Sequence, residues 1–146
     1  MRKKIFLCLF FACLGITNEI CFVAITNLIN GDTICNSTRW SLTGKTYVWM
    51  LPIYCLIPLL AGPIIKKTSH LFLLYRLLLY TFLIFLIEFI TGFLLEQLTG
   101  SCPWEYNNGW HILGYIRLDY LPAWMLFSYC IEYLYLYLEK NLNEVK

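Results

Sequence analysis

The sequence predicts an all-α membrane protein, a helical bundle with about four transmembrane helices, and two observations support this class. Hydrophobic residues make up 60% of the 146 residues, whereas charged residues make up only 14%. Soluble domains carry about a quarter charged residues, so a soluble fold of this length would lack the polar surface to cover so many apolar side chains. The apolar residues also fall into runs close to the roughly 20 residues that a helix needs to cross a bilayer.

Four apolar runs are expected to form these helices, because backbone groups inside lipid must bond within their own segment. The second run contains Pro52, Pro58 and Pro63, which predict a kinked helix. The third run is the longest, so it can tilt or project beyond the hydrocarbon core. The loop after it is expected to dip back toward the membrane, since irregular backbone is tolerated there when protein buries it. The predicted spans are residues 5–28, 46–65, 71–98 and 120–138.

The chain contains no linker, convincing repeat or low-complexity segment, so residues 1–146 are expected to form a single membrane domain. Arg2, Lys3 and Lys4 before the first run are also typical of a signal peptide. However, the first run is long and no small-residue cleavage site follows it. The first run is therefore expected to remain as a span.

Lysine and arginine residues favour one side of the predicted topology. Eight of the eleven lie before the first span, around the connection between the second and third spans, or after the fourth span. The other three lie on the opposite side and are Arg39, Lys45 and Arg117. Cytoplasmic segments are enriched in these residues, so both termini are predicted to be cytoplasmic, in the cell membrane or inner membrane.

Ionisable residues within or beside the spans are costly in lipid and are therefore candidates for function. Counting a rise of about 1.5 Å per helical residue places one group of them at a similar, outer depth. We predict a binding site there, formed by Glu19, Glu88, Glu96, Arg117 and Asp119.

A second pair of charges falls at the inner side. Arg76 lies near the start of the third span, and Glu132 lies near the end of the fourth. Because consecutive spans run in opposite directions, the two residues are matched in depth. They are hypothesised to form an ion pair.

Helix packing is predicted from a stripe of small and polar residues in the first span, Cys8, Ala12, Gly15 and Glu19. Small residues allow helices to approach closely, and polar residues bond across the contact. This stripe is expected to face the polar stripe of the third span, which contains Glu88.

The outer group of charges has three interpretations. In the first interpretation, the group is a site for a cation, a proton or a polar head group, in a protein that acts in transport or as a partner subunit. Alternatively, it is a structural network that fixes helix packing in an assembly protein without a ligand. A third reading is an intramembrane enzyme acting on lipid, in which paired carboxylates serve as acid and base. Because no nucleophile or histidine constellation accompanies the acids, the sequence assigns no catalytic residue, metal or cofactor, and enzyme activity is not the favoured reading.

Two of the seven cysteines, Cys35 and Cys102, lie outside the apolar runs. The predicted topology places both on the outer, oxidising side, where disulfides persist. A disulfide between them is hypothesised, with two separate thiols as the alternative. The other five cysteines are expected to behave as small apolar residues.

The expected partners follow from the same composition. A net charge of +2 gives no electrostatic footprint for nucleic acid. The apolar spans predict contact with membrane lipids. The polar stripes are compatible with a protein partner in the membrane.

Three strings of residues carry information beyond composition. They are Trp49-Met50-Leu51-Pro52-Ile53-Tyr54, Glu88-Phe89-Ile90-Thr91-Gly92-Phe93-Leu94-Leu95-Glu96 and Ile116-Arg117-Leu118-Asp119-Tyr120-Leu121-Pro122-Ala123-Trp124. In combination, and over nearly the whole chain, they resemble the small four-helix ABC-transporter permeases of the CmpB type, which include eukaryotic relatives of transmembrane protein 229. The resemblance implies a four-helix fold and a transport-related role, without an established activity. Cys55 stands where the family usually has glycine.

Overall fold

The computed structural model describes residues 2–30 and 43–144. Four α-helices dominate this part of the chain, and the prediction of an all-α fold is confirmed. A short hairpin and a single 3-10 turn lie between the last two helices. The elements are α1 (Arg2–Asn30), α2 (Met50–Thr68), α3 (Leu73–Thr99), β1 (His111–Ile112), β2 (Ile116–Arg117), the 3-10 turn (Leu118–Tyr120) and α4 (Leu121–Glu144).

Three of these helices, α1, α2 and α3, are long and apolar enough to cross a membrane. They correspond to the first three predicted spans, which confirms a membrane protein. α4 carries Tyr129, Tyr133, Tyr135 and Tyr137, and tyrosine lowers the hydropathy of a helix. The prediction that α4 also crosses the membrane remains a prediction.

α2 begins later than the sequence predicts, at Met50 rather than at residue 46. Pro52 is its third residue, where the missing N–H removes no helical hydrogen bond. Pro58 and Pro63 lie inside the helix, which continues past both of them.

The residues group into two compact units, Met1–Pro63 and Ile64–Lys146. In the first unit, α1 buries Leu7, Phe11, Ala12 and Ala24, and α2 buries Tyr54. The prediction of one domain over residues 1–146 remains a prediction.

In the second unit, α3 packs against α4, and the residues between them fold as a compact cap on the end of α3. Gly100 ends α3 in the left-handed conformation, with φ of 82°, and donates its N–H to the carbonyl of Glu96 at 2.8 Å. β1 and β2 pair in antiparallel fashion, with His111 opposite Arg117. The cap therefore brings residues 110–120 close to the end of α3.

Candidate functional site

Glu19 is a half-buried carboxylate in the middle of α1, and two hydroxyl groups hold it. Thr46 Oγ1 and the Tyr54 hydroxyl each donate a hydrogen bond to Glu19 Oε2, both at 3.0 Å. Neither donor carries a charge. Among the described residues, the carboxylate is therefore oriented by neutral groups and not by a base.

Residues 43–46, which precede α2, place Thr46 beside the Glu19 carboxylate. Asn27 Nδ2 donates to the carbonyl of Thr43 at 3.2 Å, near the end of α1. A Cβ on Gly44 would lie 2.2 Å from the carbonyl oxygen of Ile20. Residues 43–46 thus return along α1 from Asn27 toward Glu19, and the absence of a side chain at Gly44 lets the two backbones touch.

Tyr54 reaches Glu19 because Gly15 leaves room for its ring. A Cβ on Gly15 would lie 2.4 Å from Tyr54 Cγ, closer than real Cβ atoms approach another atom. The small and polar stripe of α1 therefore contacts α2 at Gly15 and Glu19. Whether the same stripe also faces α3, as the sequence predicts, stays a prediction.

In the second unit, Glu96 in the last turn of α3 accepts a hydrogen bond from the Tyr115 hydroxyl. This bond to the carboxylate, followed by burial, raises the pKa of Tyr115 from 10.0 to about 12. Tyr115 is therefore a neutral donor at every physiological pH. It ties the cap to α3.

The ring of Tyr115 lies along α3 well before the helix ends. Its edge contacts the ring of Phe89, with centroids 5.3 Å apart, and the ring of Phe93 at 6.3 Å. A Cβ on Gly92 would lie 3.2 Å from Tyr115 Cδ1. Phe89 precedes the last residue of α3 by ten positions, or about 15 Å along a helix. The cap thus folds back beside α3, and the expectation that it dips into the membrane stays a prediction.

Cys102 lies under the same cap as a buried thiol. Its Sγ would be 3.3 Å from a Cβ on Gly92. Burial raises the pKa of the Cys102 thiol. Its hypothesised disulfide partner, Cys35, lies outside the described residues, so the bridge stays a prediction.

Arg117 and Asp119 form a bidentate ion pair at the end of the hairpin. Arg117 Nε lies 2.9 Å from Asp119 Oδ1, and Nη2 lies 2.8 Å from Oδ2. This bonding raises the pKa of Arg117 and lowers the pKa of Asp119. The two predicted site residues therefore neutralise each other locally.

The rest of the Arg117 guanidinium is also engaged. Nη1 donates to the Tyr120 hydroxyl at 2.9 Å, and the guanidinium carbon lies 4.4 Å from the centre of the Tyr120 ring. Gly109 adopts a φ of 78°, and a Cβ on it would lie 2.6 Å from Arg117 Nε. These contacts hold Arg117 within the cap, which favours a structural role for this base.

The two charges predicted to pair at the inner side lie together in the structure. Arg76 Nη2 of α3 is 2.9 Å from Glu132 Oε1 of α4. Their side chains are 19% and 10% exposed, so the pair is largely removed from solvent. It joins the two long helices of the second unit.

The predicted outer site is therefore only partly assembled within each unit. Arg117 contacts Asp119, and Glu96 contacts the cap, whereas Glu88 lies half-buried on α3, one turn before Gly92. Glu19 belongs to the other unit. The combined site stays a prediction.

Sequence reasoning missed three residues that hold the acids, namely Thr46, Tyr54 and Tyr115. Tyr54 lies within one of the strings that carry the family resemblance, and Tyr115 lies directly before another. This position was the only sequence feature that could have pointed to them. Among the described residues, no group of three or more histidine, cysteine, aspartate or glutamate side chains is arranged to hold a metal ion.

This fold and these side chains define a small helical membrane protein with carboxylates inside its apolar helices. Over residues 6–146 the chain matches the family model described as "Putative ABC-transporter type IV". The chain belongs to this family, which confirms the resemblance to CmpB-type proteins. No solved structure matches the chain.

Proposed function

We propose that this protein is a membrane component of a transport system, in which Glu19 binds a proton or a small cation. Family membership supports a transport-related role. The observation that carries the assignment to Glu19 is its setting, a half-buried carboxylate in an apolar helix. Its hydrogen-bond donors within the described part of the chain are two neutral hydroxyls. Acids inside membrane spans mark ion and proton pathways in many membrane proteins.

The geometry at Glu19 supports binding as well as positioning. Thr46 and Tyr54 both donate to Oε2, so within the described residues the hydrogen bonds to this carboxylate converge on one oxygen. The other oxygen, Oε1, can accept a proton or coordinate a cation while Oε2 stays fixed. Held in this way, the carboxylate loses little side-chain freedom when it binds.

The remaining predicted residues extend this proposal. Glu88 supplies a second acid on α3, and Arg117 with Asp119 would lie at the outer end of the pathway. This four-residue arrangement draws on both units and stays a prediction. A protein partner in the membrane, also suggested by the family name, belongs to the same proposal.

A structural role without a ligand is the second candidate. The closed ion pair of Arg117 and Asp119, and the bond from Tyr115 to Glu96, favour it for the cap. Both interactions are satisfied inside the chain and bring parts of one unit together. This reading makes the cap a scaffold and leaves Glu19 without a ligand.

Flux measurements on the full chain in liposomes test the proposal. We would impose a pH gradient or a potassium gradient and follow the internal pH or potassium with a trapped dye. Glu19→Gln should abolish the flux, and Tyr54→Phe should reduce it by weakening the hold on Oε2. Glu105→Gln is the matched control, because Glu105 is an exposed acid of the cap.

Two results would count against this function. Equal flux through wild-type and Glu19→Gln liposomes would remove Glu19 from the pathway. A fully tolerated double change, Glu19→Gln with Glu88→Gln, in native membranes would favour the structural reading. Pull-down from native membranes, with identification of the co-purifying protein and lipid, tests the partner directly.

A further inference from the structure

Buried polar atoms on α3 and α4 lack hydrogen-bond partners among the described residues. A buried donor or acceptor without a partner loses the hydration that it had in the unfolded chain, which costs free energy. Such atoms therefore usually form a hydrogen bond with an internal water molecule or a ligand. All of these residues belong to the second unit. They include Arg76 Nε, Thr81 Oγ1, Trp124 Nε1, Ser128 Oγ and Glu132 Oε2.

Three of these residues share one face of α4. Trp124, Ser128 and Glu132 are spaced four apart, which places them one above another on a helix. Ser128 is 3% exposed and Glu132 is 8% exposed. Helical side chains lean toward the N-terminus of their helix, so the Glu132 side chain leans over Ser128.

The ion pair between Arg76 and Glu132 uses only part of each group. It is made by Nη2 and Oε1, at 2.9 Å. Arg76 Nε and Glu132 Oε2 are buried and have no hydrogen-bond partner in the part of the chain that the structure describes. A guanidinium and a carboxylate can form two parallel bonds, so one donor and one acceptor remain unused in this pair.

The Tyr80 hydroxyl interacts electrostatically with both members of this pair, and its interaction with Glu132 includes a hydrogen-bond contribution. Its oxygen lies 2.8 Å from Thr68 Oγ1. Thr68 Oγ1 already donates its single proton to the carbonyl of Ile64, also at 2.8 Å. When Thr68 donates its one proton to Ile64, Tyr80 is the donor to Thr68. In that arrangement the Tyr80 proton is used at Thr68, and Glu132 Oε2 has no partner within hydrogen-bond distance among the described residues.

The unbonded Ser128 hydroxyl is unusual for this chain. Threonines in the described helices generally donate to the carbonyl four residues earlier, as Thr17, Thr26, Thr68, Thr91 and Thr99 do. Ser128 and Thr81 make no such bond. The buried Ser128 hydroxyl therefore differs from these threonines, since it makes no bond to its own helix backbone.

We infer that Arg76, Ser128 and Glu132 form a binding site for a small hydroxyl group, and that internal water occupies it. A hydroxyl accepts a hydrogen bond from Arg76 Nε or Ser128 and donates one to Glu132 Oε2, so it satisfies the unused atoms together. Buried waters in proteins typically make about three such bonds. The glycerol hydroxyl of a lipid head group offers the same chemistry.

Water-edited solid-state NMR on the labelled full chain in lipid bilayers tests this inference. Magnetisation is passed from water protons to carbon, and its rate of build-up is compared between sites. The Ser128 Cβ and Glu132 Cδ signals should build up at least twofold faster than the Ile131 side chain, which lies between them and is equally buried. Thr91 serves as the polar control, because its hydroxyl bonds to the carbonyl of Ile87.

Ser128→Ala should slow the build-up at Glu132 by about twofold, whereas Thr91→Ala should leave it unchanged. If Ser128→Ala does not fold, the comparison of Ser128 with Thr91 in the wild-type sample still decides. Rapid transfer from lipid head-group protons in deuterated water would support the site and identify its hydroxyl as lipid. Build-up at Ser128 and Glu132 as slow as at Ile131, from both water and lipid, would overturn the site.

Discussion

Gly15 of α1 lies directly against the ring of Tyr54 of α2, and the Tyr54 hydroxyl reaches Glu19 one turn further along α1. The contact between the helices and the orientation of the carboxylate thus depend on the same tyrosine. A side chain at position 15 would displace the near end of that ring, because its Cβ would lie 2.4 Å from Tyr54 Cγ. Packing and chemistry are coupled in this unit.

Gly15→Ala is expected to destabilise the protein by about 1–3 kcal/mol, the usual range when a side chain is forced into a packed interface. The ring of Tyr54 cannot avoid the new methyl group by rotating its far end, so α1 and α2 must separate. Thermal unfolding in detergent should show the loss. Cys13→Ala is the control, since Cys13 lies on an exposed face of the same helix.

The hydrogen bond from Tyr54 to Glu19 should weaken in the Gly15→Ala variant. Infrared spectra of the Glu19 carboxylate, assigned by difference from Glu19→Gln, would report this loss. A Gly15→Ala protein with unchanged stability and an unchanged carboxylate band would refute the proposed coupling.

Removing one member of the buried pair of Arg76 and Glu132 should be strongly destabilising. An uncompensated charge is left in the interior, which costs about 3–5 kcal/mol. Arg76→Met or Glu132→Gln alone should therefore lower the unfolding temperature substantially. The double variant should be milder, because neither charge is then left alone. A double variant as unstable as the sum of the two single variants would show that the residues do not interact.

The exposed pair of Lys66 and Glu139 is the control for this experiment. Its atoms lie 3.0 Å apart, but the Lys66 side chain is 66% exposed. Exposed ion pairs add little to stability, because water and salt screen them. Lys66→Met should leave the unfolding temperature nearly unchanged.

The bond between Tyr115 and Glu96 predicts a pH dependence at the alkaline end. The bond raises the pKa of Tyr115 to about 12 from 10.0. A group whose pKa is raised on folding binds its proton more tightly in the folded state. The stability that this bond contributes is therefore complete below pH 10 and is lost as the pH rises from 10 to 12.

Ultraviolet titration of tyrosinate measures this effect. The difference between wild type and Tyr115→Phe should show one phenol that ionises near pH 12. Glu96→Gln should move that ionisation back toward pH 10, because the carboxylate no longer favours the protonated phenol. A Tyr115 phenol that ionises near pH 10 in the wild-type protein would contradict the bond.

Much of the fold follows from the sequence, because lipid imposes a strong and local constraint. The sequence predicts the third span over residues 71–98, and α3 runs from Leu73 to Thr99. The fourth span is predicted over residues 120–138, whereas α4 continues to Glu144. Hydropathy detects only the apolar part of a helix, and a helix can continue into water when polar residues such as Asn141 follow.

The candidate site was harder to predict. Glu19 and Glu96 could be found from the sequence, because a charged carboxylate costs free energy in an apolar run and is therefore rare there. Their partners, Tyr54 and Tyr115, could not be assigned, because each lies far along the chain and only tertiary packing brings it close. Arg117 bonds to Asp119 two residues away, and nothing in the sequence distinguished this local pair from a pair with a distant acid.

The orientation of the chain in the membrane determines where Glu19 lies, and reporter fusions can test it. Lysine and arginine are enriched on the cytoplasmic side of membrane proteins, and eight of the eleven lie on the side predicted to be cytoplasmic. Reporters fused after Lys4, Lys67 and Lys146 should therefore read as cytoplasmic, and a reporter fused after Gly109 should read as external. A cytoplasmic signal after Gly109 would place the cap on the inner side and move Glu19 to the inner half of the membrane. In that case the proposed site at Glu19 would be reached from the cytoplasmic side and not from the outside.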